Sequence, residues 1–436
     1  MSIKHLYEDE RPSLLLDFAN SKTLDPRITF TRNSTATYVD ELGVIKTAAA
    51  GEARFDHDPV TGESLGLLLE EERTNFATNS TMESSDWQDH TASQSDGTII
   101  SSNNAAPDGT NTAVLMGEQL TGNFNKNCYL RQNLTVSSDG DYVISVFAKR
   151  SATSVTDTVT VGLSGFTDSN PAGFVRFRMD TLEWSATDTA ASYADRLLPV
   201  EDYGNGWYRI SVKWNLASTG LTGSIRFGIA KSSISGGNGV KINRDDDNWG
   251  YFWGAQVEKG SFPTSYIPTT IGGTFTRNDD EAEITGTNLS DWFGSTGGTY
   301  VTEFNGIGYS GSIQVYLNFT QGNSRFEFYH TGVVMLYHNI ATGYGHNPTY
   351  SMPVGQNNKS ALSANFVDGS GSFTSNGKSP NVVAPVSSPS GVFNPTIMKF
   401  GFALYQNRGY GISGHFKRFA YYNTRLGNTA LEVLTE

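Results

Sequence analysis

The stretch YGNGWYRISVKWNL, residues 203–216, decides the fold class. Tyr208, Ile210, Val212 and Trp214 alternate with Arg209, Ser211 and Lys213, and Asn205-Gly206 supplies a turn just before them. A period of two sets one group of side chains on each face of a strand. Asn-Gly favours the tight turns that join antiparallel strands. The pattern recurs outward from this stretch. Val175, Phe177 and Met179 alternate with Arg176 and Arg178, and Ile225, Phe227 and Ile229 repeat the spacing. Further along, Ile313, Val315, Leu317 and Phe319 do the same, as do Met398, Phe400, Phe402 and Leu404. Asp139-Gly140 and Asn376-Gly377 punctuate these runs. No long segment has helical periodicity; the exception at the end is Asn428 to Glu436, where Ala430, Leu431 and Leu434 predict a short packed helix.

Composition agrees with a strand-and-turn chain. Of 436 residues, 46 are glycine, 12% are aromatic and only 17% are charged. Aromatic and β-branched side chains suit a half-buried pleated surface, and Gly, Asn and Asp suit turns. The length predicts two or three domains. A formal net charge of −13 repels phosphate backbones and anionic lipid, so neither nucleic acid nor a membrane surface is an expected partner. No apolar run approaches the ~20 residues of a membrane span. Cys128 is the single cysteine, which excludes an intrachain disulfide. The start, MSIKHLYEDERPS, lacks the apolar core of a signal peptide.

Three zones follow from the pass along the chain. Residues 1–75 hold short polar turns and little core of their own; 76–270 and 271–436 each contain enough strands for a sandwich. Pro263, Pro268, Gly272 and Gly273 mark the linker between the two. A five-residue echo, Thr29-Phe-Thr-Arg-Asn33 and Thr274-Phe-Thr-Arg-Asn278, precedes the second and third zones of pattern. It reads either as chance or as a shared docking element.

Three stretches together resemble phage virion proteins. LLLDFANSKTLDPRITFTRNSTATYVDELGVIKTAAAGEARFDHDPVTGESLGLLLEEERTN, residues 14–75 at its Asn end, resembles an N-terminal segment of phage fibres and spikes. NFATNSTMESSDW (75–87), APDGTNTA (106–113), YVISVFAKR (142–150), YGNGWYRISV (203–212) and WGAQVEKGSFPTSYIPTT (253–270) resemble, in that order, phage jelly rolls related to carbohydrate-binding modules. GGTYVTEF (297–304), SFTSNGK (372–378) and ISGHFKRFAYYNTRL (412–426) look like a laminin-G or concanavalin-like sandwich. The resemblance implies an all-β chain of two β-sandwiches with an extended N-terminal docking and oligomerisation region over 1–75. It implies a homotrimeric fibre or spike protein on the virion surface, made in the host cytoplasm, held to other virion proteins through its N-terminal region. Its partner is then a host surface glycan. Two rivals stay open: a purely structural capsid or tail decoration protein, and a polysaccharide depolymerase.

Sugar recognition needs aromatic platforms beside fixed polar groups. In the first sandwich Trp249, Tyr251 and Trp253 form an alternating stripe next to Arg244 and Asp245–Asp247. They are glycan-binding candidates, or else one inner face of a closing strand. In the second sandwich the candidates are Tyr337, Tyr344 and His346 in one aromatic stretch, and Tyr405, Asn407, Arg408 and Tyr410 in another. Tyrosine gives contact area at low entropic cost and keeps a hydroxyl for bonding, at glycan and subunit interfaces alike. The resemblance to carbohydrate-binding jelly rolls also implies a calcium site, with Asn79, Glu83, Asp108 and Glu258 as ligands; the alternative for Asp108 is a simple Asx turn. Nucleophile-elbow, zincin and phosphate-loop motifs are missing, so no catalytic residue is assigned and the chain reads as non-enzymatic. A carboxylate pair of the glycosidase kind leaves no local signature.

Overall fold

The computed structural model describes residues 11–83, 86–89, 99–117, 126–127, 129–152, 158–166, 174–185, 196–217, 221–230, 241–242, 249–309, 315–321, 324–329, 336–338, 344–346, 355–383, 392–401 and 412–436. Nearly all regular structure is antiparallel strand, and among the described residues no helix is long and apolar enough to cross a membrane.

Residues 76–270 build one sandwich of two six-stranded sheets. Its front sheet runs Glu201–Asp202, Trp207–Leu216, Gly140–Arg150, Trp249–Lys259, Ala113–Gly117, Ile99–Asn104. Its back sheet runs Glu183–Trp184, Phe174–Arg178, Thr158–Ser164, Thr222–Ala230, Tyr129–Thr135, Gln88–Asp89. Alternate residues meet between them: Ile210, Val212 and Trp214 from the front pack with Val175, Phe177, Ile225 and Phe227 from the back. The period read in the sequence is therefore the inner face of this core.

Several polar residues of the same strands do not face water, however. Arg209, Ser211, Ser145, Gln256 and Glu258 are all buried. A second aromatic layer lies on the outside of the front sheet. Phe147, Trp207 and Trp253 pack there with Tyr266 of the linker, under Val39 and Ile45 of the hairpin Ala36–Val39 and Ile45–Ala48. Gly254 makes this possible. It sits at φ +67° at a register shift opposite Ser145–Phe147, and a Cβ there would fall 2.6 Å from the Phe147 ring. The bulge turns Tyr251 and Trp253 outward while Phe252, Ala255 and Val257 stay in the inner core.

The second sandwich corrects the expected domain layout. Its long sheet runs Asn381–Val383, Gly371–Ser375, Asn357–Asn365, Gly297–Tyr309, Ile412–Tyr422, Ser64–Leu69, Arg54–His57, with Leu14–Asp17 also paired to Ile412–Tyr422. Its short sheet runs Thr29–Thr31, Glu281–Thr285, Ile397–Phe400, Val315–Gln321, Ser324–Tyr329, Leu336–His338, Tyr344–His346. Leu14, Leu16, Phe18, Leu67 and Leu69 share one core with Phe304, Phe319, Phe400 and Phe419. Residues 11–75 are thus not a separate docking region waiting for a partner to order it. They complete the second sandwich, because their short strands find their missing partners some 200 to 400 residues along the same chain, as in Leu14↔Tyr421 and Thr29↔Glu283. At Gly66, φ +93°, a Cβ would lie 2.2 Å from the Phe416 carbonyl oxygen, so only glycine lets this strand approach its partner.

The first sandwich is consequently an insertion in the second. Its incoming strand Arg73–Asn75 and outgoing strand Phe275–Arg277 lie side by side, paired Phe275↔Asn75, Thr276↔Thr74 and Arg277↔Arg73. They form a two-stranded neck. The helix Asn428–Thr435 packs Ala430, Leu431 and Leu434 on the outer face of the long sheet, against Val301, Ala361 and Ala420.

Candidate functional site

Two parts of the molecule bear on recognition: a buried clamp that fixes the sandwiches to each other, and the sheet edge farthest from it.

The clamp grows from the five-residue echo. The first copy lays Thr29–Thr31 on Glu281–Thr285, and the second lays Phe275–Arg277 on Arg73–Asn75. The amide of Asn278 donates to the Ser34 hydroxyl just past the first copy (2.9 Å). Both arginines then reach one set of buried acids. Arg32 Nη1 donates to Asp280 Oδ1 at 3.0 Å, and Arg277 Nε lies 3.6 Å from Glu70 Oε2. Arg54 joins the two acids, donating from Nη1 to Glu70 at 2.7 Å and from Nη2 to Asp280. All five side chains have no exposed surface. Burial on its own would raise the Glu70 carboxyl, but Arg277 and Arg54, with the Ser265 hydroxyl and amide, hold it well below the usual carboxylate range. Burial opposes the charge of Arg54, and Asp280 and Glu70 overcome it, so its pKa stands above the ordinary value. Ser265 belongs to the linker, which ties all three zones to the cluster. The sequence carried one signal of this clamp, the repeated Thr-Phe-Thr-Arg-Asn; Arg54, Glu70 and Asp280 carried none.

At the other end of the short sheet the last two strands are Leu336–His338 and Tyr344–His346. Their register sets His338 across from Tyr344, Leu336 across from His346, and Tyr337 across from Gly345. Three of the glycan candidates, Tyr337, Tyr344 and His346, therefore fall in one strand pair, Tyr344 and His346 at positions of one face and Tyr337 at a position of the other, with Tyr344–His346 as the terminal strand. The N-terminal strand Thr29–Thr31 closes the opposite end of that sheet. Six strand spacings of ~4.8 Å separate the two, roughly 29 Å. Tyr405, Asn407, Arg408 and Tyr410 lie outside the described residues.

The stripe in the first sandwich is placed otherwise. Trp253 is buried, with its indole N–H donating to Thr112 Oγ1 at 2.9 Å, and Tyr251 is half-buried against the same outer aromatic layer. Tyr251 thus packs on the outer aromatic layer beneath the N-terminal hairpin and not in the inner core. Trp249 begins the same strand, while Arg244 and Asp245–Asp247 lie outside the described residues.

The four calcium candidates are not brought into one donor set. Asn79 is buried with its carbonyl accepting from the Trp87 indole (2.9 Å) and its side-chain oxygen accepting from Thr81 (3.2 Å). Glu83 stays at the surface. Asp108 accepts from the amide and hydroxyl of Thr110 at 3.0 and 2.6 Å, an Asx turn. Glu258 is fully buried, and its carboxylate is taken up by Gln256 (2.8 Å) and by the amide and hydroxyl of Thr264 (2.9 and 2.7 Å). Among the described residues no group of three or more His, Cys, Asp or Glu could hold a metal ion. Glu258 is thus turned toward the linker, where Gln256 and Thr264 hold its carboxylate.

No protein-family model matches the chain. No curated protein matches it either. Parts of it are similar to several solved structures. One is the CBM40 of the Ruminococcus gnavus IT-sialidase bound to α2,3-sialyllactose, 21% identical over 33% of this chain and 84% of that one, at a TM-score of 0.28. Another is domain 4 of AbnA, an extracellular arabinanase from Geobacillus stearothermophilus, in complex with arabinotriose: 11% identity, 36% and 73% coverage, TM-score 0.30. A third is the SAP-like pentraxin of Limulus polyphemus, with 12% identity, 33% and 70% coverage and a TM-score of 0.27. Each overlaps about a third of this chain at low score. The class is set by the chain's own geometry: an all-β protein of two antiparallel sandwiches, one inserted into the other.

Proposed function

We infer that this is a non-catalytic attachment protein of a phage particle, which binds host surface glycan through the outermost strand pair of its second sandwich. The observation that supports it most is the placing of Tyr344 and His346 at alternate positions of the outermost strand, at the end of the sheet opposite the N-terminal strand. A rigid sandwich offers such an edge without changing its core. The aromatic residues there suit the apolar faces of sugar rings, and tyrosine and imidazole polar atoms suit the hydroxyls. The N-terminal strands, at the clamped end, are the side that faces the particle. A homotrimer multiplies weak single contacts through high effective concentration.

The test is binding of the purified full chain to host surface polysaccharide and to a glycan array, wild type against Tyr344→Ala and His346→Ala. Retention by wild type and loss in both variants is the expected result. Equal retention by all three sinks the edge as the site. No retention of any glycan, together with antibody labelling of the particle, makes the chain a decoration protein. Light scattering of the purified chain reads the trimer directly.

A further inference from the structure

The outer face of the inserted sandwich's back sheet carries two adjoining arginines that no acid neutralises among the described residues. Leu130, Val159, Val161, Ile225 and Phe227 point into the core, so the alternate residues of their strands share the other face. One row across that face reads Phe174, Gly162, Arg226, Arg131, Gln88, each in register with the next. The neighbouring row reads Arg176, Thr160, Gly228, Tyr129.

Glycine at 162 and 228 leaves the middle of both rows without side chains, and the flanking rings lean over the gap. Phe174 and Tyr129 stand three strands apart, roughly 14 Å at ~4.8 Å per strand. Their ring centroids are nevertheless 5.6 Å apart. The Arg226 guanidinium lies against both, 5.1 Å from the Tyr129 ring and 5.8 Å from the Phe174 ring. The rings fix its position and leave its donors unused. Arg226 has no carboxylate and no hydrogen-bond partner among the described residues; only its Nε is closed off from solvent, and the residue is half-buried. Arg131, directly across, has one bond, from Nη2 to Gln88 Oε1 at 2.8 Å. Burial lowers Arg226 from its ordinary pKa and Arg131 repels it further, with Tyr129 working the other way. Farther along the same strand as Phe174, Arg178 is already neutralised by Asp180 at 2.7 Å.

This charge selects the class of ligand. A neutral molecule would leave the repulsion between Arg226 and Arg131 in place, and a metal cation would add to it. An anion relieves it, and a guanidinium fork matches the paired oxygens of a carboxylate or phosphate. We propose that Arg226 and Arg131 bind the anionic group of an acidic sugar on the outer face of the inserted sandwich. The source of that ligand rests on the glycan reading above; the site itself lies on the other sandwich from Tyr344 and His346.

The test is saturation-transfer NMR and calorimetry on the full chain. Glucuronate, galacturonate and glucose 6-phosphate are compared with glucose, acetate and inorganic phosphate, all at millimolar concentration. At least one acidic sugar should bind, more tightly than the simple anion that carries the same group, and glucose should not. Preference between the uronates and the phosphate names the anion. Arg226→Gln should weaken binding about ten- to a hundredfold, the loss of charge-assisted bonds, and Arg226→Lys should recover only part of it, keeping the charge without the fork. Binding should also fall as salt rises from about 0.05 to 0.5 M. If Arg226→Gln loses its native circular dichroism, Arg131→Gln decides in its place. Failure of every acidic sugar, glucose or the simple anions bound as well as the acidic sugars, or binding unmoved by the variants overturns the proposal. Polysaccharide retention that survives such a result leaves the strand-pair site standing, whereas retention lost in Tyr344→Ala with acidic-sugar binding intact separates the two sites.

Discussion

The two sandwiches are built from the same kind of strand but are written differently along the chain. The inserted one is contiguous, each of its strands falling within residues 88–259. Its parent is split: Leu14–Asp17, Thr29–Thr31, Arg54–His57 and Ser64–Leu69 precede the insertion, and the rest follow it. A contiguous sandwich can bury its apolar face against near neighbours. The split one closes only after a loop of about 200 residues has been accommodated, whose entropic cost grows slowly with length. Autonomy therefore belongs to the inserted unit, and dependence to the parent.

The largest expected effect comes from deleting residues 11–75. The parent core then loses Leu14, Leu16, Phe18, Leu67 and Leu69, and the outer aromatic layer of the inserted sandwich loses its cover. We expect no soluble folded second sandwich, read by near-ultraviolet circular dichroism and gel filtration. Replacing residues 76–274 by a short glycine turn should leave the parent folded but less stable, since Asn75 and Phe275 are already paired while Glu70 loses its two Ser265 donors. A native-like spectrum from the first chain would reverse the comparison.

Next is the clamp. Glu70→Gln leaves Arg54 and Arg277 buried beside a neutral group, and should cost about 3–5 kcal/mol in urea denaturation. The sign with pH follows from the depressed Glu70 value. Its stabilisation is complete above the ordinary carboxylate range, and is lost as pH falls below about 4 toward the folded value. Between pH 7 and pH 3 wild type should lose more stability than Glu70→Gln; parallel loss would show that the cluster does not titrate with folding.

A matched pair then sharpens the contrast. Ile210→Val in the inserted core and Ile284→Val in the parent core should each cost about 0.5–1.5 kcal/mol. Both side chains are fully buried. In a calorimetric scan each should move its own transition. If both move one shared transition, the clamp has fused the sandwiches into a single cooperative unit. The smallest effect is Asp108→Ala, about 0.5–1 kcal/mol for a lost turn hydrogen bond, with or without calcium. A loss confined to calcium-containing buffer would support the metal reading.

The period of two in Trp207–Leu216 was legible because inner faces of a sandwich are set by local pleating. What the alternate residues met was not. Arg209 and Ser211 read only as the second face of the strand, and they are buried under a linker and a hairpin from remote sequence. Residues 14–75 read as coreless for the same reason: strands of three to six residues reveal their partners only in space. Tyr251 and Trp253 were correctly seen as a stripe, but a bulge at Gly254, invisible to periodicity, decided which layer they entered. Tyr337, Tyr344 and His346 were grouped by proximity in sequence, and a local strand pair keeps such groups together.

The neck has a mechanical meaning. Tension drawn through the inserted sandwich is shared by two covalent strands running side by side, so the three-residue ladder between them bears none of it. The load passes to where each strand is anchored. Arg277 donates there to the Glu71 carbonyl at 2.7 Å and sits beside Glu70, and Arg73 is bonded to the Glu71 carboxylate and covered by the Phe262 ring. A tug on one module is thus met by dry charge pairs in the root of the other, and the two recoil together.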